Sequence, residues 1–148
     1  MGQGTYEYDA DQVALVFGSI KIDSGFAEDS MVKIEMDEKG FTYVVGVDGS
    51  VTRSKTKNKV AKITIMLMQS SYLNDQLSAL YVLDLNAANG AGIAPFLLKD
   101  INGTTLCAAA HCWIEKPPDQ EFKRGASARE WNLIASDMNV FVGSNPKL

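Results

Sequence analysis

The chain carries one histidine and two cysteines in 148 residues. A structural or catalytic zinc site needs three or four His, Cys or carboxylate ligands. In Cys107-Ala108-Ala109-Ala110-His111-Cys112 a regular strand puts Cys107 and His111 on one face and Cys112 on the other. At most two ligands converge there, so no metal is expected. Adjacent residues on a strand face apart, which also separates Cys112 from His111 as nucleophile and base. Two cysteines make no disulfide framework, so a reducing compartment is the default and both thiols are expected free.

Long apolar runs are missing as well. No stretch approaches the ~18 apolar residues of a membrane-spanning helix. The start, Met1-Gly2-Gln3-Gly4-Thr5-Tyr6-Glu7, is polar and acidic, unlike a secretory signal. Tyr6 stands where N-myristoylation needs Ser or Thr, so no membrane anchor is expected. Gly90-Ala91-Gly92 follows a helix and lacks a third glycine, so it reads as a loop and not a nucleotide cradle. Asp119 and Glu121 read as solvated surface carboxylates. No constellation supports catalysis or cofactor binding, and a structural or interaction module is favoured over an enzyme.

Positive charge is scarce except in one place. The net charge is −4, unlike that of a nucleic-acid-coating protein. Five of the 14 basic residues (Arg53, Lys55, Lys57, Lys59, Lys62) fall between Gly49 and Asn74, a stretch with no acid. All 18 acids lie elsewhere, so the chain is an acidic body carrying one basic segment.

What is present is alternation. In Val60 to Met68, Ala61, Ile63, Ile65 and Leu67 share one face, against Lys62 and Thr64, the period of a half-buried strand. Ser70 or Ser71 can cap a following helix. That helix carries Leu73, Leu77 and Leu80 on a stripe, with Asn74, Asp75 and Ser78 opposite, and ends in the 86–92 run. Its stripe is expected to cover one face or opening of a β-sheet.

Val13-Leu15-Phe17, 31–37 and Phe41-Tyr43-Val45-Val47 read as further strands. Asp48-Gly49 is a hairpin-turn dipeptide, after which 51–58 either pairs back or projects as a loop. Strands at 94–101 and 104–115 are expected to join through a two-residue Asn102-Gly103 hairpin. Pro117-Pro118 ends the second of these. Strands 129–135 and 138–142 should form a closing pair. Trp113 and Trp131 read as core. Residues 1–12 and 143–148 look like a flexible arm and tail around a single domain. The class is mainly β, an antiparallel sandwich or barrel with one flanking helix.

Several segments together resemble a known family. They are 44–53 (VVGVDGSVTR), 63–71 (ITIMLMQSS), 74–80 (NDQLSAL), 99–105 (KDINGTT), 113–118 (WIEKPP), 129–131 (REW) and 139–143 (NVFVG). In order and spacing they are similar to the tail tube (inner tail core) proteins of contractile-tailed bacteriophages. The resemblance implies a structural virion protein whose hexameric rings stack into a hollow tube. It also implies a sheath, a tape-measure protein, a baseplate and a tail terminator as partners. DNA would cross the lumen without specific binding, along an acidic wall that repels phosphates. Assembly would take place in the host cytoplasm. Stacking needs a heterologous interface, and charge segregation nominates Arg53, Lys55, Lys57 and Lys59 for the inter-ring contact. The rival reading is a soluble β-sandwich that binds a ligand or peptide.

Overall fold

The computed structural model describes residues 4–27 and 31–148. Among them, after a single 3-10 turn at Ala10–Gln12, ten strands and one α-helix follow in chain order: β1 (Val13–Phe17), β2 (Ile20–Lys21), β3 (Val32–Met36), β4 (Phe41–Val45), β5 (Val51–Lys55), β6 (Ala61–Met68), α1 (Leu73–Asn86), β7 (Ala94–Asp100), β8 (Leu106–Lys116), β9 (Ala128–Ala135) and β10 (Asn139–Phe141). Seven strands form one sheet in the order β2-β1-β7-β8-β9-β6-β3, and β10 pairs with β8. β4 and β5 form a separate two-stranded ribbon. Every strand pair is antiparallel. The fold is therefore mainly antiparallel β with one helix, the expected class.

Period-two patterning decides which face is core. Ala61, Ile63, Ile65 and Leu67 of β6 are buried and pair with Ala135, Leu133, Trp131 and Arg129 of β9. Directly opposed residues point the same way, so these two strands lay a continuous floor. Leu15 and Phe17 of β1 and Phe96 and Leu98 of β7 extend it. Helix α1 closes it with Leu73 and Leu77, while Leu80 is half-buried. Ser71 Oγ accepts a hydrogen bond from Leu73 N at 3.2 Å, as expected of a serine at that start.

Four expectations fail in detail. The Asn102-Gly103 connection is not a two-residue hairpin. Asp100 N donates to Thr105 O at 3.1 Å and Gly103 N to Asp100 O at 3.0 Å, enclosing a longer turn, and neither central residue has positive φ. The sheet's two-residue turn is instead Gly18-Ser19, between β1 and β2.

β10 does not pair with 129–135 but with the start of β8, Val140 lying opposite Cys107. Asn74, placed on the outer face of the helix, turns inward. Its Oδ1 accepts from Trp131 Nε1 at 2.9 Å, and its amide donates to Met68 O at 2.9 Å and to Ser71 O at 3.1 Å. Finally, Trp131 is core but Trp113 is only half-buried, because Cys112 and Ile114 on either side of it take the inner face.

The expected arm and tail meet each other. Residues 1–3 of the arm lie outside the described residues. Tyr6 bridges Lys147, and Glu7 N donates to Pro146 O at 3.1 Å. The tail is also stitched to the β7–β8 turn. Gly143 N and Ser144 N donate to the hydroxyls of Thr105 and Thr104, each at 3.0 Å, and Asn145 Nδ2 donates to Asp100 Oδ2 at 2.8 Å.

Candidate interaction surfaces

The β4–β5 ribbon stands apart from the core. All ten of its strand residues are exposed, although seven are aromatic or aliphatic or carry β-branched methyls, on both faces. Its turn spans Val47-Asp48-Gly49. Gly49 N donates to Gly46 O at 3.0 Å and Gly46 N to Ser50 O at 2.7 Å. Gly49 sits at φ +86°, where an L side chain is strained. Asp48 Oδ1 accepts from Ser50 N at 3.0 Å and from Ser50 Oγ at 2.7 Å. These two bonds favour the carboxylate and hold its pKa below the usual range. The dipeptide that signalled the hairpin therefore makes it, and 51–55 both pairs back and projects.

Register sorts the ribbon into two faces. Phe41, Tyr43 and Val45 oppose Lys55, Arg53 and Val51, so these six share one side. The Arg53 guanidinium lies 4.3 Å from the centre of the Phe41 ring. The other side carries Thr42, Val44, Thr52 and Ser54. Tyr43 is 71% and Val44 69% exposed, values that no core contact explains.

The four expected inter-ring residues are thereby divided. Arg53 and Lys55 are on the aromatic face of the ribbon. Lys57 is exposed on the return segment. Lys59 lies against the body, bridging Asp137 through the backbone, with Nζ donating to Asn139 Oδ1 at 3.4 Å.

The cysteine–histidine run is arranged differently from a regular strand. Ala94 pairs with Cys112 but Phe96 pairs with Ala109, so β8 carries an extra residue at Ala110-His111. This bulge resets the alternation. Cys107 and Cys112 consequently both face the core, at 5% and 0% exposure, and only His111 points out. Both are free thiols, as expected, though not because they face apart.

Burial, followed by the charge of Asp137, pushes the Cys112 thiol up to about 12, and burial also raises that of Cys107. Neither is a ready thiolate. Asp137 closes the bulge: Oδ1 accepts from His111 N at 3.0 Å, and Oδ2 lies 3.2 Å from His111 Nδ1. Hydrogen bonding to the His111 amide is the main influence holding its carboxyl below the ordinary range. Among the described residues no three His, Cys, Asp or Glu side chains converge as metal ligands. Asp119 is engaged with Lys116 at 3.3 Å.

Solved structures share this architecture. The cap that terminates the tube of the anti-feeding prophage matches with a TM-score of 0.58 at 9% identity, over 93% of this chain and 92% of that one. The sheath–tube complex of PVC, an extracellular contractile injection system, in its extended state matches with a TM-score of 0.57 at 11% identity, over 95% and 93%. At such identity these likenesses establish the fold alone. Sequence relatives are more specific. Structural protein ORF10 of Pseudomonas phage KPP10 is 31% identical over 153 aligned positions, covering 100% of this chain and 88% of that protein. The profile of the bacteriophage PhiTE tail tube proteins matches residues 7–143. The chain thus belongs to the PhiTE-type phage tail tube family, and it is a structural protein of the phage tail.

Proposed function

We propose that this protein is the repeating subunit of the inner tail tube: six copies close a ring, rings stack, and DNA passes through the lumen during ejection. A contractile sheath encloses the tube, a tape-measure protein sets its length, and a baseplate and terminator bound its ends. Assembly takes place in the host cytoplasm.

The observation that carries this reading is the β4–β5 ribbon. Tyr43, Val44, Val45, Val47 and Val51 are all more than half exposed on an element with no core of its own. A ribbon of this kind is marginal in water alone, and its apolar side chains need a partner. Arg53 and Lys55 add positive charge to that surface, while the rest of the chain is acidic. Head-to-tail stacking joins two different surfaces of the same chain, so a basic ribbon meeting an acidic body gives an open-ended polymer. Each exposed ion pair contributes at most about 1 kcal/mol, and a ring repeats each contact in every subunit.

Negative-stain microscopy of the purified chain tests the proposal. Rings or tubes are expected, with assembly weakening as salt rises. The double change Lys55→Glu, Lys57→Glu should stop tube growth and leave the fold intact. A strict monomer at high concentration with saturable ligand binding would instead make the protein a soluble β-sandwich binding module. Tubes of normal length from the double mutant at the wild-type rate would remove the stacking role of the lysines.

A further inference from the structure

Arg129 is the one buried cation of the described core, 5% exposed, and it lies on the floor strand β9 opposite Leu67. Its guanidinium donates to neutral oxygens only. Nη1 reaches Ser127 Oγ at 2.8 Å and Ala128 O at 3.3 Å, and Nη2 reaches Glu121 O at 3.0 Å. Among the described residues no carboxylate comes within ion-pair distance of it. A buried charge that is hydrogen-bonded but lacks a counter-ion is costly. The cost falls when an anion arrives.

There is room for one. Arg129 lines a cavity of about 310 Å3 between the first turns of α1 and the connection from Pro118 to Phe122. Ser78 and Gln120 add polar groups to its wall, while Asn74 lines it with its amide already committed to Trp131, Met68 and Ser71. Asp75 also lines the wall, but it is exposed and makes no ion pair with Arg129. At the mouth the Phe122 ring, 78% exposed, lies 5.5 Å from the guanidinium. An exposed phenylalanine beside a desolvated arginine is the composition of an interface centre and not of an ordinary loop.

We propose that this cavity is a docking site for a second copy of this chain, which inserts an Asp or Glu side chain to pair with Arg129 beneath Phe122. The occupant follows from charge: outside residues 50–73 each copy carries all 18 acidic residues against nine basic ones, Arg129 among them. A planar carboxylate matches the fork of a guanidinium. The inference rests on self-assembly of the subunit and assigns a contact to a surface distinct from the β4–β5 ribbon.

The test compares the concentration at which the full-length chain assembles, by sedimentation, for wild type and three variants. Ser78→Trp crowds the cavity from its helix wall and leaves Arg129 unsubstituted, Phe122→Ser removes the cover, and Arg129→Gln removes the charge while keeping a donor. Circular dichroism and melting check each fold. Ser78→Trp and Arg129→Gln should raise the assembly concentration at least tenfold, and Phe122→Ser several-fold. Arg129→Lys should recover part of the loss.

If Arg129→Gln does not fold, Ser78→Trp alone decides. Folded Ser78→Trp assembling at the wild-type concentration overturns the proposal. So does binding of acetate or phosphate by the unassembled subunit when Ser78→Trp leaves assembly unchanged, since the cavity is then a free-anion site. Failure of the wild type to assemble at all would instead defeat the tube reading itself.

Discussion

Two regions of this molecule have the same sequence pattern and opposite fates. β6 sets Ala61, Ile63, Ile65 and Leu67 on one face beside β9, and β4 likewise sets Phe41, Tyr43 and Val45 on one face beside β5. In the first pair the apolar face is sealed in the core that α1 closes, with Ile63, Ile65 and Leu133 at 0% exposure. In the second every residue is exposed. Period two specifies a strand and two faces but not what lies against either face. A core strand finds its cover within the chain. The ribbon carries tyrosine and valine with no cover of its own, and under the function proposed here another copy supplies it.

The sharpest way to break this contrast is to truncate both kinds of strand partner. Leu77→Ala opens a hole over the floor and should cost about 2–5 kcal/mol, read as a lower urea midpoint. Val44→Thr on the ribbon should shift that midpoint by less than about 0.5 kcal/mol. Equal losses would mean that the ribbon is part of the fold's own stability.

Gly103→Val should cost about 1–3 kcal/mol. A Cβ there would lie 2.5 Å from Ser144 O, so either the tail or the turn must move. Cutting the chain after Val142 should relieve most of that loss, and an undiminished effect would return the cause to the turn itself.

Asn74→Ala strands the Trp131 indole N–H and should cost about 1–3 kcal/mol. Thermal melting checks it, and an unchanged transition would place Asn74 back on the solvent side.

The smallest effect should be at Asp137. Its pKa is depressed in the fold, so its contribution is present above the ordinary aspartate value of 3.8 and fades as pH falls through the lower folded value. Wild type and Asp137→Asn should therefore differ in stability at pH 6 and converge near about pH 2. A gap that widens on acidification would contradict that sign.

Local alternation made the floor strand 61–68, the helix and its buried Leu77 legible, since those faces are set within a few residues. Asp48-Gly49 was legible because a turn states its own backbone need. What stayed hidden depended on distant chain. The bulge that turns Cys112 inward is held by Asp137, a carboxylate 26 residues from His111. The Asn102-Gly103 dipeptide reads as a tight turn until the tail is laid against it. Asn74 looked like a surface polar residue because nothing near it in sequence announces the indole of Trp131. Arg129 gave no signal: a lone arginine in an apolar strand reads as an outward residue, and its burial depends on the 117–127 connection folding over it. Charge patterning grouped Arg53, Lys55, Lys57 and Lys59 in one segment and gave no sign that Lys59 lies against the body while Arg53 and Lys55 stand on the ribbon.

The separation of the β4–β5 ribbon from the core has an evolutionary consequence. Most mutations erode stability, and selection removes those that take a protein below the stability it needs. Residues 41–55 contribute little to burial, so they escape that filter and answer only to whatever they touch. Their sequence can drift, lengthen or exchange charge while 61–68 and 128–135 stay fixed. Lineages of such subunits should diverge fastest at the ribbon, and two tails sharing one cell could become unable to copolymerise through changes there alone.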